Sequence, residues 1–127
     1  PRDMLAIGEM YLNCGRVGTT QIVSEDWVHT SIRPHATRTR SPDRAYGYGW
    51  WVRKLNSHDA FYAWGYGGQF IYVVPALRLV TVMTSSPYPG EGLRAHRRAL
   101  YRVMEEEIVP VIAMRGRGSG RFSRSPA

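Results

Sequence analysis

Trp64-Gly65-Tyr66-Gly67-Gly68-Gln69 places three glycines within four residues, between the apolar and aromatic runs Phe61 to Trp64 and Gln69 to Val74. Glycine gives a strand no side chain to pack, so such a cluster marks a turn or a place where something, a ligand included, approaches the backbone closely. Both readings stand on spacing alone. In either case the flanking runs read as neighbouring strands of one sheet.

Downstream, Pro75-Ala76-Leu77-Arg78 turns the chain and Leu79 to Thr84 supply the next strand. Apolar residues occupy both alternating sets in Gln69 to Val74 and Leu79 to Thr84, so this part of the sheet should be covered on both faces. Upstream, Arg53 to Asp59 reads as a polar hairpin loop. Before it, Tyr46, Tyr48, Trp50 and Val52 alternate with Gly47, Gly49 and Trp51, which predicts a strand from Ala45 with large rings on one face and close packing over its glycines. Short connections make the whole an antiparallel meander.

Helices should flank it. Met4, Ile7, Gly8, Tyr11 and Leu12 recur at helical spacing from Pro1 to Asn13, and Cys14-Gly15 supplies a stop. Gly15 to Thr20 reads as a loop. Ser24 is placed to cap a second helix with Glu25 and Asp26 in its first turn, which Pro34 ends. Residues 35 to 44 are polar, show neither period, and read as an exposed connection. Leu93, Leu100, Val103, Met104, Ile108 and Val111 define a long amphipathic helix that should lie on the sheet, with Arg94, Arg97, Arg98 and Arg102 outward. The fold class expected is α+β, an antiparallel sheet meander with flanking helices.

The 127 residues, 43% hydrophobic and 12% aromatic, suffice for one domain with a core. No stretch approaches the roughly 18 uninterrupted apolar residues of a membrane span, so no membrane partner is expected. Net charge is +7, but Arg115, Arg117, Arg121 and Arg124 carry four of those charges in a tail without acids. The Gly, Ser, Pro and Arg composition of residues 115–127 predicts a disordered basic tail, leaving residues 1–114 as the folded part. Glu105, Glu106 and Glu107 follow the arginine row directly, as on a solvated face, so nucleic acid is not an expected partner. Cys14 is the one cysteine, and His29, His35, His58 and His96 are scattered, so no metal or other cofactor is expected.

A nucleophilic hydrolase needs an activated serine or cysteine beside a base. No serine here is followed three positions later by lysine, and there is no Gly-x-Ser-x-Gly elbow. Only Asp43 and Asp59 supply acids between residues 27 and 90, too few for a paired-carboxylate site. What the glycine cluster offers is accessory: without Cβ atoms, a substrate carbonyl can approach the strand and meet its N–H groups, half of an oxyanion hole.

Pro1-Arg2-Asp3-Met4, Tyr11-Leu12-Asn13, Gln21-Ile22-Val23-Ser24 with Trp27-Val28, Tyr46-Gly47-Tyr48-Gly49-Trp50-Trp51, Gly65-Tyr66-Gly67-Gly68-Gln69 and Val73-Val74-Pro75 come in an order that resembles the C-terminal part of the beta-lactamase-related serine hydrolases. That family includes class C beta-lactamases, penicillin-binding-protein-like esterases and peptidases, and 6-aminohexanoate-dimer hydrolases. The resemblance covers residues 1–112 and implies a partial beta-lactamase/transpeptidase-like fold. It also implies a parent serine hydrolase that cleaves ester or amide bonds of small molecules, beta-lactam and 6-aminohexanoate-type bonds among them, through an acyl-enzyme.

The resemblance sets Tyr66-Gly67-Gly68 where the family carries a Lys-Thr-Gly-like strand, and makes the backbone N–H of Gln69 an oxyanion donor. Tyr66, Gly67 and Gly68 would then border the substrate. Tyrosine in place of lysine removes a cation suited to a beta-lactam carboxylate, so ester or amide hydrolysis gains. Tyr11-Leu12-Asn13 spells the family's Tyr-x-Asn but falls on the first helix, and is read as coincidence. The family's Ser-x-x-Lys is absent, so the remainder of a parent chain is the implied partner and the isolated chain is expected to be inactive. A non-catalytic binding or interaction module on the same sheet is the other reading. The compartment, cytoplasm or periplasm, stays open.

Overall fold

The computed structural model describes residues 1–38, 41–86 and 90–118. Helix α1 (Arg2–Leu12) is followed by a small hairpin of β1 (Arg16–Val17) and β2 (Thr20–Gln21), then helix α2 (Glu25–Ser31). Six strands come next: β3 (Ala36–Arg38), β4 (Ser41–Tyr46), β5 (Trp51–Leu55), β6 (His58–Gly65), β7 (Gln69–Val74) and β8 (Leu79–Met83). They lie side by side in chain order, every pair antiparallel. The chain closes with α3 (Leu93–Arg102), a π-helical stretch (Val103–Ile108) and α4 (Val109–Gly118). Right-handed helical dihedrals at Val103 and Val109 make these one continuous helix. The architecture is the α+β meander with flanking helices that the apolar patterning predicts.

Alternation along β7 explains the layers. Phe70, Tyr72 and Val74 face the C-terminal helix, where they join Leu55, Tyr62, Tyr101, Met104 and Val109. Ile71 and Val73 face the other way, into a cluster with Trp50 and Phe61 that Met4, Tyr11 and Leu12 of α1 cover. The sheet is therefore buried on both faces around β7, as the two apolar sets require. Tyr11 packs against Trp50 with ring centroids 4.6 Å apart, so the tyrosine of Tyr-x-Asn is a partly buried residue that covers the core. Ser24 caps α2 as expected, its hydroxyl accepting from the Trp27 N–H at 3.2 Å.

Five expectations need correction, the first being that the loop expected over Gly15 to Thr20 is the β1–β2 hairpin, with Val17 opposite Thr20. The polar run of residues 35–44 is not a plain connection: β3 and β4 pair there, with Thr37 opposite Ala45. Backbone pairing at a sheet edge needs no buried side chains, so no hydrophobic period announces it. The aromatic–glycine alternation is not one strand either. It breaks over residues 47–50, where the Gly47 N–H bonds the Trp50 carbonyl at 2.7 Å and Tyr48 stacks on Trp27 and His35. Close packing over Gly47 does occur, because a Cβ there would strike the Ser31 carbonyl. The loop expected over Arg53 to Asp59 shrinks to Asn56-Ser57, the strands extending to Leu55 and from His58. Finally, the last helix continues through Gly118, so residues 115–118 are helical; residues 119–127 of the expected tail lie outside the described residues.

Gly8 is the buried residue of α1 and lies against the sheet. A Cβ on it would sit 2.5 Å from Val80 Cγ1 and 2.9 Å from Ile71 Cγ2. Those methyls belong to β-branched side chains with little freedom to yield. Gly8→Ala should therefore lower stability by about 1–2 kcal/mol despite the gain in helix propensity, as overpacking outweighs it. Urea denaturation checks this, and a more stable variant would show that α1 is not seated on β7 and β8.

Candidate functional site

The glycine cluster is the tip of the β6–β7 hairpin. Gly65 pairs with Gln69 as the last rung, and Tyr66-Gly67-Gly68 make the three-residue turn. Gly67 and Gly68 have φ of +84° and +96°, a region that L side chains rarely occupy, so this turn demands glycine at both. The cluster is a turn, and its two positive-φ glycines are buried, with Leu100, Ser85 and His96 lying against Gly68.

Two hollows flank the tip. On one side a cavity of about 470 Å³ is lined by Gly67, Ser85, Glu91, Gly92 and His96 among others. On the other, one of about 270 Å³ is lined by Met4, Ala63, Gly65, Gln69 and Ile71 together with Tyr46, Trp51 and Trp64. The same three aromatics, with Ala36 and Arg97, border a further groove of about 670 Å³. Arg97 is not simply outward as the helical pattern predicts, because its guanidinium lies 4.8 Å from the Trp64 ring centroid. A cation over that indole is favourable and gives the groove an apolar wall with one positive charge.

Of the sequence-predicted site residues, Gly67 lines the first cavity and Gln69 the second. Gly68 lies against Leu100, Ser85 and His96, with no room for a Cβ. Tyr66 stands at the tip, 72% exposed, and lines neither flanking cavity. The Gln69 side chain does something the sequence did not reveal: its Nε2 donates to the Ser85 carbonyl at 2.8 Å and its Oε1 accepts from the Ser85 N–H at 3.2 Å. His96 Nε2 lies 2.9 Å from Ser85 Oγ. No periodicity or motif joins a serine after β8 to a histidine on α3, so neither residue stands out in the sequence.

Electrostatics behind the hairpin restrict the chemistry. Tyr62 and Tyr72, opposite each other on β6 and β7, are both fully buried. Burial first, and then the neighbouring Tyr101, hold both phenols well above the ordinary tyrosine value, with Arg44 and Arg53 pulling weakly the other way. Both remain neutral around pH 7 and neither can accept a proton from a nucleophile. On the helix side, Arg53 pairs with Glu105, and Asn56 Nδ2 donates to the Glu105 carbonyl, tying the β5–β6 turn to the π-helical stretch.

Among the described residues one group has a metal-binding composition. Cys14, Glu25 and His29 offer ligand atoms within 4.8 Å of one another. Glu25 and His29 are exposed partners one helical turn apart on α2. Cys14 and Glu25 border a hollow with Arg78, at the end of β7 opposite the glycine turn, so the trio is separate from the hairpin tip.

A family model described as Beta-lactamase matches residues 1–104. A solved structure from Bacillus anthracis, of a protein described as a 6-aminohexanoate-dimer hydrolase, superimposes with a TM-score of 0.62 at 23% identity. The match covers 82% of this chain and 28% of that one, so the present chain spans under a third of the length of the structure it matches. No curated protein matches.

The buried phenols set a pH limit. Unfolded tyrosine ionises near pH 10, whereas the folded chain holds Tyr62 and Tyr72 protonated beyond that. Above pH about 10 the unfolded chain binds fewer protons than the folded one, so stability is full below that pH and falls as pH rises. The Tyr72 hydroxyl has no hydrogen-bond partner among the described residues. Tyr72→Phe should thus be neutral or stabilising at pH 7 and should flatten the alkaline decline, as read by denaturant midpoints from pH 7 to 11.

Proposed function

Because the chain belongs to the beta-lactamase family, we propose that it forms one wall of the active site of a serine hydrolase that cleaves small-molecule esters or amides through an acyl-enzyme. The observation that carries this reading is the hairpin tip. Two glycines of positive φ precede Gln69 at the sheet end, with Gly67 lining one hollow and Gln69 the other. A carbonyl oxygen placed there meets the Gln69 N–H, which stabilises charge as the tetrahedral intermediate forms.

The nucleophile and its base come from residues outside Pro1–Ala127. The serine Oγ attacks the carbonyl carbon while the base takes its proton; the intermediate collapses and the alcohol or amine leaves with a proton. Water then attacks the acyl-serine, releasing the acid and the free serine. Tyr46, Trp51 and Trp64 supply an apolar wall for the acyl or leaving group. Tyr66 at the cluster's second position supports esters and amides over beta-lactams, since no fixed cation meets a lactam carboxylate there.

The 127-residue chain alone should show no turnover of a p-nitrophenyl ester above a heat-denatured control. The full-length gene product should turn it over and lose that activity to a fluorophosphonate. Activity of the short chain that a fluorophosphonate abolishes would overturn the assignment of the nucleophile. In the full-length protein, Tyr66→Lys should raise kcat/KM for a beta-lactam relative to the ester by about threefold, the scale of one exposed ion pair; an unchanged ratio would remove the specificity role given to this position.

A further inference from the structure

We infer that Ser85 and His96 are positioning residues that hold the Gly67–Gln69 turn in place from the segment after β8 and from the helix behind it. The inference rests on the oxyanion reading only for its effect on catalysis; the mechanical part stands on geometry alone.

A turn built on two glycines is the most flexible kind of backbone, while an oxyanion donor works only if its direction is set before the reaction. Something must therefore restrain it. The β7–β8 ladder does not reach far enough, because its last pair at this end is Phe70 with Met83. One step beyond, the Gln69 side chain takes over: its amide both donates to the Ser85 carbonyl and accepts from the Ser85 N–H. The side chain thereby completes a ring with the Ser85 main chain that anchors residue 69 to the segment that follows β8.

Ser85 is in turn held from the helix. Its hydroxyl meets His96 Nε2 at 2.9 Å, one turn into α3. Gly68 passes directly under this contact. A Cβ on Gly68 would lie 2.8 Å from Leu100 Cδ1, 3.0 Å from Ser85 Oγ and 3.2 Å from His96 Nε2, so these three atoms form the surface against which the turn rests. Restraint thus comes from two directions, the Gln69 amide on the side that Ile71 and Val73 share and the Ser85–His96 pair on the helix side. A role for His96 as a free surface histidine would not require its ring nitrogen to close on a serine whose backbone is already clamped to Gln69.

The test uses Ser85→Ala, His96→Ala and His96→Gln, the last keeping an N–H able to reach the serine hydroxyl. In the 127-residue chain, amide hydrogen exchange at Gly67, Gly68 and Gln69 should quicken about tenfold in the two alanine variants, the scale of one lost hydrogen bond, while Tyr72 and Val73 keep their protection. His96→Gln should restore wild-type exchange. In the full-length gene product the alanine variants should lower kcat for a p-nitrophenyl ester about tenfold with KM within twofold, and His96→Gln should recover it. Unchanged exchange at the turn, or an equal acceleration throughout β7, overturns the inference. If exchange responds but the wild-type full-length protein hydrolyses nothing, the positioning device stands and the hydrolase reading falls. If the wild type is active and the alanine variants keep kcat, the catalytic consequence falls while the hydrolase reading stands.

Discussion

Strand β7 is buried on both faces, and most of the structure follows from that. Phe70, Tyr72 and Val74 require an apolar cover on one side, Ile71 and Val73 on the other, and no single helix can supply both. The C-terminal helix takes the first face through Tyr101, Met104 and Val109, and α1 takes the second through Met4, Tyr11 and Leu12. With both faces sealed, one-residue slippage of β7 would exchange its two sets of side chains between covers of different shape, so the register with β6 and β8 is strongly specified. The position of the turn at its N-terminal end is specified with it.

That end is where the candidate chemistry lies. Sheet interiors have no room for a substrate, whereas the hairpin tip, where Gly67 and Gly68 are buried but carry no side chains, lies between two hollows. The same absence of side chains makes the tip mobile unless it is tied down, and the Gln69–Ser85–His96 contacts occupy the place where the β7–β8 ladder stops. Rigid strands behind and a restrained turn in front are what preorganised electrostatic stabilisation calls for.

Some of this was legible from residue order. The apolar double set in Gln69 to Val74 announced a two-faced strand, the bounds of β7 coincide with that run, and the amphipathic stripe from Leu93 announced the helix that covers it. Other parts were not. β3 and β4 are held by backbone pairing at the edge, which leaves no period in polar residues such as Thr37 and Arg44. The break at residues 47–50 depends on the Ser31 and Arg33 carbonyls lying where a Cβ of Gly47 would be, a contact between segments that no local pattern encodes. Arg97 looked like a solvated cation because its helical face is polar, yet the sheet brings Trp64 beneath it.

The sequence by itself determined the class of fold, the family resemblance later matched over residues 1–104, and the glycine cluster as the candidate site, because each rests on local properties: side-chain period, backbone freedom and motif order. Only the tertiary structure decided how that cluster is held. Ser85 and His96 stand 11 positions apart and Gln69 and Ser85 stand 16 apart, so their pairing exists only after the strands have paired and the helix has docked. Hydrogen bonds between distant side chains are set by packing geometry, and packing geometry is a property of the folded chain rather than of any stretch of it.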